Sequence, residues 1–129
     1  MARSYRDLVV WQKAKALAVR IYRETEPFPK SETYGLRSQM RRAAVSVASN
    51  IAEGQGRLTP GEFQQFLRHS RGSWLELSTQ LAIACDSDTL TEKPIRHVES
   101  EAYQVLGLLN RLLDSLRTPG PLAIRTLKP

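Results

Sequence analysis

QMRRAAVSVASNIAEGQGR, residues 39–57, is the stretch that decides the fold. At about 100° per residue, small and apolar side chains share one face of a helix: Leu36, Met40, Ala43, Val47, Ile51 and Gly54. A polar row runs beside that face at steps of three and four: Gln39, Arg42, Ser46, Asn50, Glu53 and Arg57. The apolar stripe predicts a helix that packs against other helices. The polar row is open to three interpretations, namely a buried hydrogen-bond network, an assembly surface and a ligand site.

The first half of the chain predicts two helices. Ser4 and Asp7 have the spacing of a capping box, so a first helix is expected from about Tyr5 to Glu26, where two prolines stop it. Ser31 is the expected cap of a second helix that begins near Glu32. This helix carries the polar row and ends between residues 54 and 57, where two glycines loosen the backbone.

The second half predicts two more helices. Thr59 precedes a proline and stands three residues before Glu62, which is the signature of a capped helix start, and this third helix should end at residues 86–88. Thr91 is the expected cap of a fourth helix, whose apolar stripe continues to Leu116.

Four amphipathic helices with short connectors and no stretch of period two predict an all-α fold, an antiparallel up-down-up-down four-helix bundle. With 129 residues the chain is sized for one domain. We expect the bundle domain to cover residues 1–118 and a flexible C-terminal tail to cover residues 119–129.

The fourth helix is apolar over a wider arc than one bundle seam requires. Leu106, Leu108 and Leu113 add to its stripe. Because extra apolar surface on a small bundle commonly becomes an interface between copies, we expect a homo-oligomer.

Charge and composition narrow the function classes. The net charge is +6, the pI is about 9.9 and arginines outnumber lysines, which favours polyanionic partners. No apolar run is long enough to cross a bilayer, so no membrane role is expected. The single Cys85 and the lack of a secretory leader predict a cytoplasmic protein.

Catalysis, metal binding and cofactors have no support in the sequence. His69, His97 and Cys85 lack partners at metal-ligand spacing, and no histidine or lysine is placed to activate Ser46. We therefore expect a protein that is not an enzyme and that uses no cofactor and no metal.

A positive surface is expected where the second and third helices are neighbours. Aromatic residues available for base stacking are scarce there, because Phe66 and Trp74 are predicted to face inward. A solvated basic face is the competing interpretation. The candidate nucleic-acid-binding residues are Arg37, Arg41, Arg42, Arg57, Arg68 and Arg71.

A second candidate set concerns structure or assembly. Glu53 precedes Arg57 by one helical turn, so an ion pair is expected between them. The candidates for a polar network or an interface are Gln39, Ser46, Asn50, Glu53 and Glu76.

Five blocks of sequence resemble a bacterial four-helix bundle family, the proteins encoded in intervening sequences of 23S rRNA genes. These blocks are DLVVWQKA at residues 7–14, FPKSETYGL at 28–36, QMRRA at 39–43, NIAEG at 50–54 and GSWLEL at 72–77. The match is close over about the first ninety residues. In the last helix only the general sequence pattern matches. Its motif positions here are Arg41, Arg42, Ser46, Asn50, Glu53, Gly54, Arg57, Gly72 and Glu76.

The resemblance implies a left-handed bundle, a homopentamer, a basic surface for nucleic acid and no enzymatic activity. The sequence also looks like the accessory protein of diversity-generating retroelements, which implies a reverse transcriptase or another protein as a partner. From residues and resemblance together we expect low-specificity binding of RNA or DNA. The alternative is a protein-interaction scaffold without a nucleic-acid role.

Overall fold

The protein folds into four α-helices with two short 3₁₀ turns, as seen in a computed structural model that describes residues 4–90 and 92–117. The helices are α1 (Val9–Thr25), α2 (Leu36–Gln55), α3 (Pro60–Asp86) and α4 (Glu92–Ser115). The 3₁₀ turns, Tyr5–Asp7 and Lys30–Glu32, precede α1 and α2. Within the described ranges no strand occurs, which confirms the predicted all-α class.

The helices pack as a bundle in which each contacts its neighbours along the chain and α1 also contacts α4. The α2–α3 contacts pair the end of one helix with the start of the other: Gly54 lies against Phe66, whereas Ser46 meets Ser73. Later residues of α2 therefore meet earlier residues of α3, so the two helices are antiparallel. The up-down-up-down order of the whole bundle and its left-handed twist stay predictions.

The core is built from the apolar stripes of all four helices. The predicted stripe of α2 is buried from Met40 to Gly54, and its first member, Leu36, is half-buried against the core. The largest side chains that are completely buried are aliphatic: Leu17, Ile21, Met40, Ile51, Leu67, Leu77 and Leu109.

The start of α1 differs from the prediction. The capping box of Ser4 and Asp7 is present, but it caps the 3₁₀ turn Tyr5–Asp7 and not the α-helix. Leu8 then adopts extended backbone angles (φ −78°, ψ 123°), and α1 begins at Val9. The expected continuous helix from Tyr5 is therefore wrong. The bend at Leu8 allows Tyr5 to pack edge-on against Trp11, with 4.9 Å between the ring centroids.

The start of α2 also differs. Ser31 lies inside the turn Lys30–Glu32, and the helix begins four residues after the predicted Glu32, at Leu36. The Glu32 carboxylate accepts a hydrogen bond from the Leu36 backbone N–H at 3.2 Å. A carboxylate is a good cap because it meets both an unpaired donor and the positive end of the helix dipole.

The predicted boundaries of α3 are confirmed. The Thr59 hydroxyl accepts a hydrogen bond from the Glu62 N–H at 3.1 Å, and Pro60 is the first helical residue. The helix ends at Asp86, followed by Asp88 with a left-handed φ of 59°. The helix α4 ends at Ser115, one residue before the predicted end. Thr91 and residues 118–129, which include the predicted tail, lie outside the described residues.

Candidate nucleic-acid interface

The polar row of α2 runs beside the seam between α2 and α3, where the two helices are in close contact. A Cβ built on Gly54 would lie 2.8 Å from the Phe66 Cβ and 2.9 Å from the Phe63 Cδ1. Deeper in the seam, the buried Ser70 hydroxyl donates a hydrogen bond to the Val47 carbonyl at 2.7 Å. The two backbones approach because small residues line both helices at the contact.

Part of the polar row forms a network along the edge of this seam. The hydroxyl oxygens of Ser46 and Ser73 are 2.7 Å apart, and the Asn50 Nδ2 donates hydrogen bonds to the Ser46 hydroxyl at 3.0 Å and to the Ser46 carbonyl at 2.9 Å. Ser46, Ser73 and Asn50 are half-buried. For Ser46 and Asn50, the network interpretation agrees with the structure.

The network makes a testable contribution to stability. Replacing Ser46 with alanine removes the partner of Ser73 and one of the two acceptors of Asn50, so the free energy of unfolding should fall by about 1 kcal/mol. Urea titration followed by circular dichroism measures this change. Thr79→Ala is the matched control, because among the described residues the exposed Thr79 hydroxyl donates only to the Leu75 carbonyl of its own helix. Equal effects of the two substitutions would contradict a network across the helices.

The remaining members of the second candidate set are exposed. Within residues 4–90 and 92–117, Gln39 and Glu53 make no hydrogen bond or ion pair through their side chains. The expected pair between Glu53 and Arg57 is absent, since the Arg57 guanidinium lies over the Phe66 ring at 4.5 Å. Glu76 accepts a hydrogen bond from the Gln80 Nε2 at 3.2 Å.

Arg37 and Arg41 bind the end of α1. Arg37 donates to the backbone carbonyls of Thr25, Glu26 and Phe28. Thr25 is the last residue of α1 and its carbonyl also accepts from the Phe28 N–H, whereas Glu26 and Phe28 follow the helix. One guanidinium group thus serves several carbonyls at the helix end at once.

Arg41 completes this contact one turn later on the same side of α2. It donates to the buried Thr25 hydroxyl at 2.9 Å and to the Tyr22 carbonyl at 3.1 Å, pairs with Glu26 at 3.0 Å, and lies over the Tyr22 ring at 4.6 Å. Both arginines are therefore committed to internal contacts. Their geometry gives them a structural role that the nucleic-acid interpretation did not anticipate.

Of the four exposed members of the arginine set, Arg57 lies over the Phe66 ring, and the other three are Arg42, Arg68 and Arg71. Within the described part of the chain, none of the three makes a hydrogen bond, an ion pair or a ring contact. Arg42 lies on the edge of α2 that carries Ser46, beside α3. Because successive helical residues turn by about 100°, Arg71 lies on the side of α3 away from Ser73, and Arg68 lies one turn earlier on the exposed side of α3.

The six candidate arginines thus divide into three groups around the bundle. Arg37 and Arg41 contact the end of α1, Arg42 and Arg57 lie along the α2–α3 edge, and Arg68 and Arg71 lie on the exposed side of α3. The positive surface expected where α2 and α3 are neighbours stays a prediction. When two helices are neighbours, only the faces that contact each other come together. Residues on opposite sides of one helix stay apart.

Sequence reasoning missed the acceptors of Arg37 and Arg41 and the partner of Ser46. The four-residue spacing of the two arginines was a signal, since it places both on the side of α2 opposite Ser46. Ser73 was a weaker indication of a polar contact, because it is a single small polar residue within α3. Neither signal identifies its partner without the packing of the helices.

Clusters of metal-ligating side chains do not occur in the part of the chain that the structure describes. No group of three histidine, cysteine, aspartate or glutamate side chains there could hold a metal ion. Among the helices of the described residues, none is long and apolar enough to span a membrane.

Comparison with known proteins places the chain in a family. Residues 6–111 match the family model described as 23S rRNA-intervening sequence protein. Among solved structures, the bundle is similar to a protein of unknown function from the S23 ribosomal protein family of Bacteroides thetaiotaomicron, with a TM-score of 0.73 and 19% sequence identity. That match covers 81% of this chain and 98% of the other. No curated protein matches. Because the family model covers most of the residues of all four helices, the chain belongs to the 23S rRNA-intervening sequence protein family.

Proposed function

We propose that this protein is a non-catalytic, cytoplasmic homo-oligomer that binds RNA or DNA with little sequence preference through Arg42, Arg68 and Arg71. The observation that carries the proposal is that these three exposed guanidinium groups have no partner among the described residues. Exposed arginines without carboxylate partners are free to meet phosphates, which they can bind through two parallel hydrogen bonds.

Binding in this mode draws its free energy from the release of counterions. Each phosphate that an arginine neutralises releases condensed cations, so affinity falls steeply as salt rises. Selectivity for bases is not expected along the α2–α3 edge, because Arg57 covers the Phe66 ring.

Oligomerisation is the second element of the proposal. Leu106, Leu108 and Leu113 are each half-buried within one subunit and keep apolar surface in contact with solvent. A homopentamer, as the family resemblance implies, would repeat the three arginines five times and raise avidity without new contacts.

A triple substitution tests the arginines directly. Replacing Arg42, Arg68 and Arg71 with glutamine should weaken binding of a structured RNA at least about tenfold and should reduce the slope of log affinity against log salt by about 3 per subunit engaged, since each phosphate contact contributes about 0.9. Fluorescence anisotropy over a salt series measures both quantities.

The control removes the same charge elsewhere. Lys13, Arg23 and Arg111 are exposed on α1 and α4, so their triple replacement with glutamine matches the change in net charge. Equal losses in the two variants would show that only the overall charge matters. Unchanged binding in the first variant would contradict the proposal.

The rival function is a protein-interaction scaffold. It is favoured by apolar side chains exposed on α3 and α4, namely Leu75 at 55%, Ile83 at 52% and Tyr103 at 58%. If wild-type affinity for RNA is no higher than that of a control protein with equal charge, the scaffold becomes the better account.

A further inference from the structure

A cavity between α3 and α4 has features that the nucleic-acid proposal does not use. Its volume is about 230 Å³. The space exists because small side chains of both helices lie next to the large indole ring of Trp74. The lining consists of Trp74, Ser78, Leu81, Ala82, Glu99, Ala102 and Tyr103.

Two aromatic rings form one corner of this cavity. The centroids of Trp74 and Tyr103 are 5.4 Å apart and their planes make an angle of 61°. The Trp74 Nε1 donates a hydrogen bond to the Ala102 carbonyl at 2.7 Å. That bond fixes the indole and uses its only donor, so Trp74 offers the cavity aromatic carbon surface alone.

Two polar groups that line the cavity have no partner among the described residues. Glu99 makes no ion pair and no hydrogen bond through its side chain within residues 4–90 and 92–117, and the Ser78 hydroxyl likewise has no partner there. Among the described residues, no lysine or arginine lines the cavity. In a chain of net charge +6, one carboxylate is thus left unneutralised beside two aromatic rings.

We propose that this cavity binds a guanidinium group. An aromatic ring attracts a cation placed within about 6 Å of its centroid, and a carboxylate adds charge-assisted hydrogen bonds. Guanidinium suits the site better than ammonium because its planar group stacks on aromatic rings and pairs with a carboxylate through two bonds. The volume is below the roughly 300–1,000 Å³ of sites for drug-sized ligands and fits the end of one side chain.

The first experiment uses a small probe. The chain has two tryptophans, so Trp11→Phe leaves Trp74 as the only tryptophan reporter. N-acetyl-arginine amide should change the Trp74 emission saturably in the millimolar range, whereas the citrulline analogue, which has the same shape without the charge, should bind at least about fivefold more weakly. Should Trp11→Phe fail to fold, the indole N–H resonance of Trp74 in the wild-type protein gives the same titration.

Matched variants test the assigned residues. Glu99→Gln should weaken arginine-amide binding at least about fivefold, and Tyr103→Leu should also weaken it. Glu62→Gln removes the same charge from the first turn of α3, where Glu62 is exposed and does not line the cavity, and should leave binding unchanged. Equal effects of Glu99→Gln and Glu62→Gln would overturn the proposal.

Sedimentation distinguishes two sources of the guanidinium group. If a second copy of this chain supplies an arginine, Glu99→Gln and added arginine amide should both lower the mass of the assembly, whereas Glu62→Gln should not. If the ligand is a free molecule, the mass should stay constant while the probe binds saturably. Absence of both saturable binding and a Glu99-dependent mass would refute the site.

Discussion

Replacing Gly54 with alanine is expected to lower the free energy of unfolding by about 2 kcal/mol, because the α2–α3 seam has no room for a methyl group. The new Cβ would lie 2.8 Å from the Phe66 Cβ and 3.3 Å from the Phe63 carbonyl oxygen. Neither atom can move by rotating a side chain, since one is fixed to the Phe66 Cα and the other belongs to the backbone. The two helices would have to separate locally.

Gly72→Ala is the matched control for this prediction. Gly72 lies in the interior of α3, and a Cβ built there would meet nothing within 4 Å. Alanine stabilises an exposed helix interior by about 1 kcal/mol relative to glycine. The same substitution should therefore have opposite signs at the two sites, about 3 kcal/mol apart.

Urea denaturation of both variants measures the difference. A destabilisation at Gly72 equal to that at Gly54 would mean that Gly72 is covered by another subunit, where a methyl group would clash. A neutral effect at Gly54 would contradict the close packing of α2 against α3.

Replacing Arg37 with alanine is the second large effect we expect, a loss of about 2–3 kcal/mol. The substitution removes three hydrogen bonds to carbonyls at and beyond the end of α1, and bonds to charged groups contribute about 1.5–3 kcal/mol to stability. Part of the loss reflects the Phe28 carbonyl, whose contact with Arg37 is partly buried and which is left without a donor, whereas the Thr25 carbonyl still accepts from the Phe28 N–H.

Arg42→Ala is the control for Arg37→Ala. Arg42 is exposed and makes no contact of this kind in the described residues, so its replacement should change stability by no more than about 0.5 kcal/mol. Thermal and urea unfolding at low and high salt would check both variants. Similar stabilities for the two would contradict the role assigned to Arg37.

This difference affects how nucleic-acid binding is tested. A variant that removes Arg41 also removes the contacts with Thr25, Tyr22 and Glu26, so lost binding could reflect a disturbed bundle. Arg42, Arg68 and Arg71 avoid that ambiguity, because none of them makes such a contact among the described residues of the subunit.

The sequence by itself determined the number of helices, their approximate extent and most of the residues they bury. Periodicity suffices for this because a residue at steps of three and four from Val47 lies on the buried face of α2 whatever the partner helix is. The cap at Thr59 was equally local, since its acceptor and donor lie three residues apart.

Only the tertiary structure decided which polar groups meet. Arg37 reaches carbonyls 9 to 12 residues away, and Ser46 meets Ser73 at a separation of 27 residues. It also decided that Arg57 stacks on Phe66 instead of pairing with Glu53. The structure also placed the starts of α1 and α2 after 3₁₀ turns, which a periodic pattern alone does not distinguish from the first turn of an α-helix. Local pattern fixes which face of a helix is buried, but the partner of each polar side chain depends on how separate helices are placed.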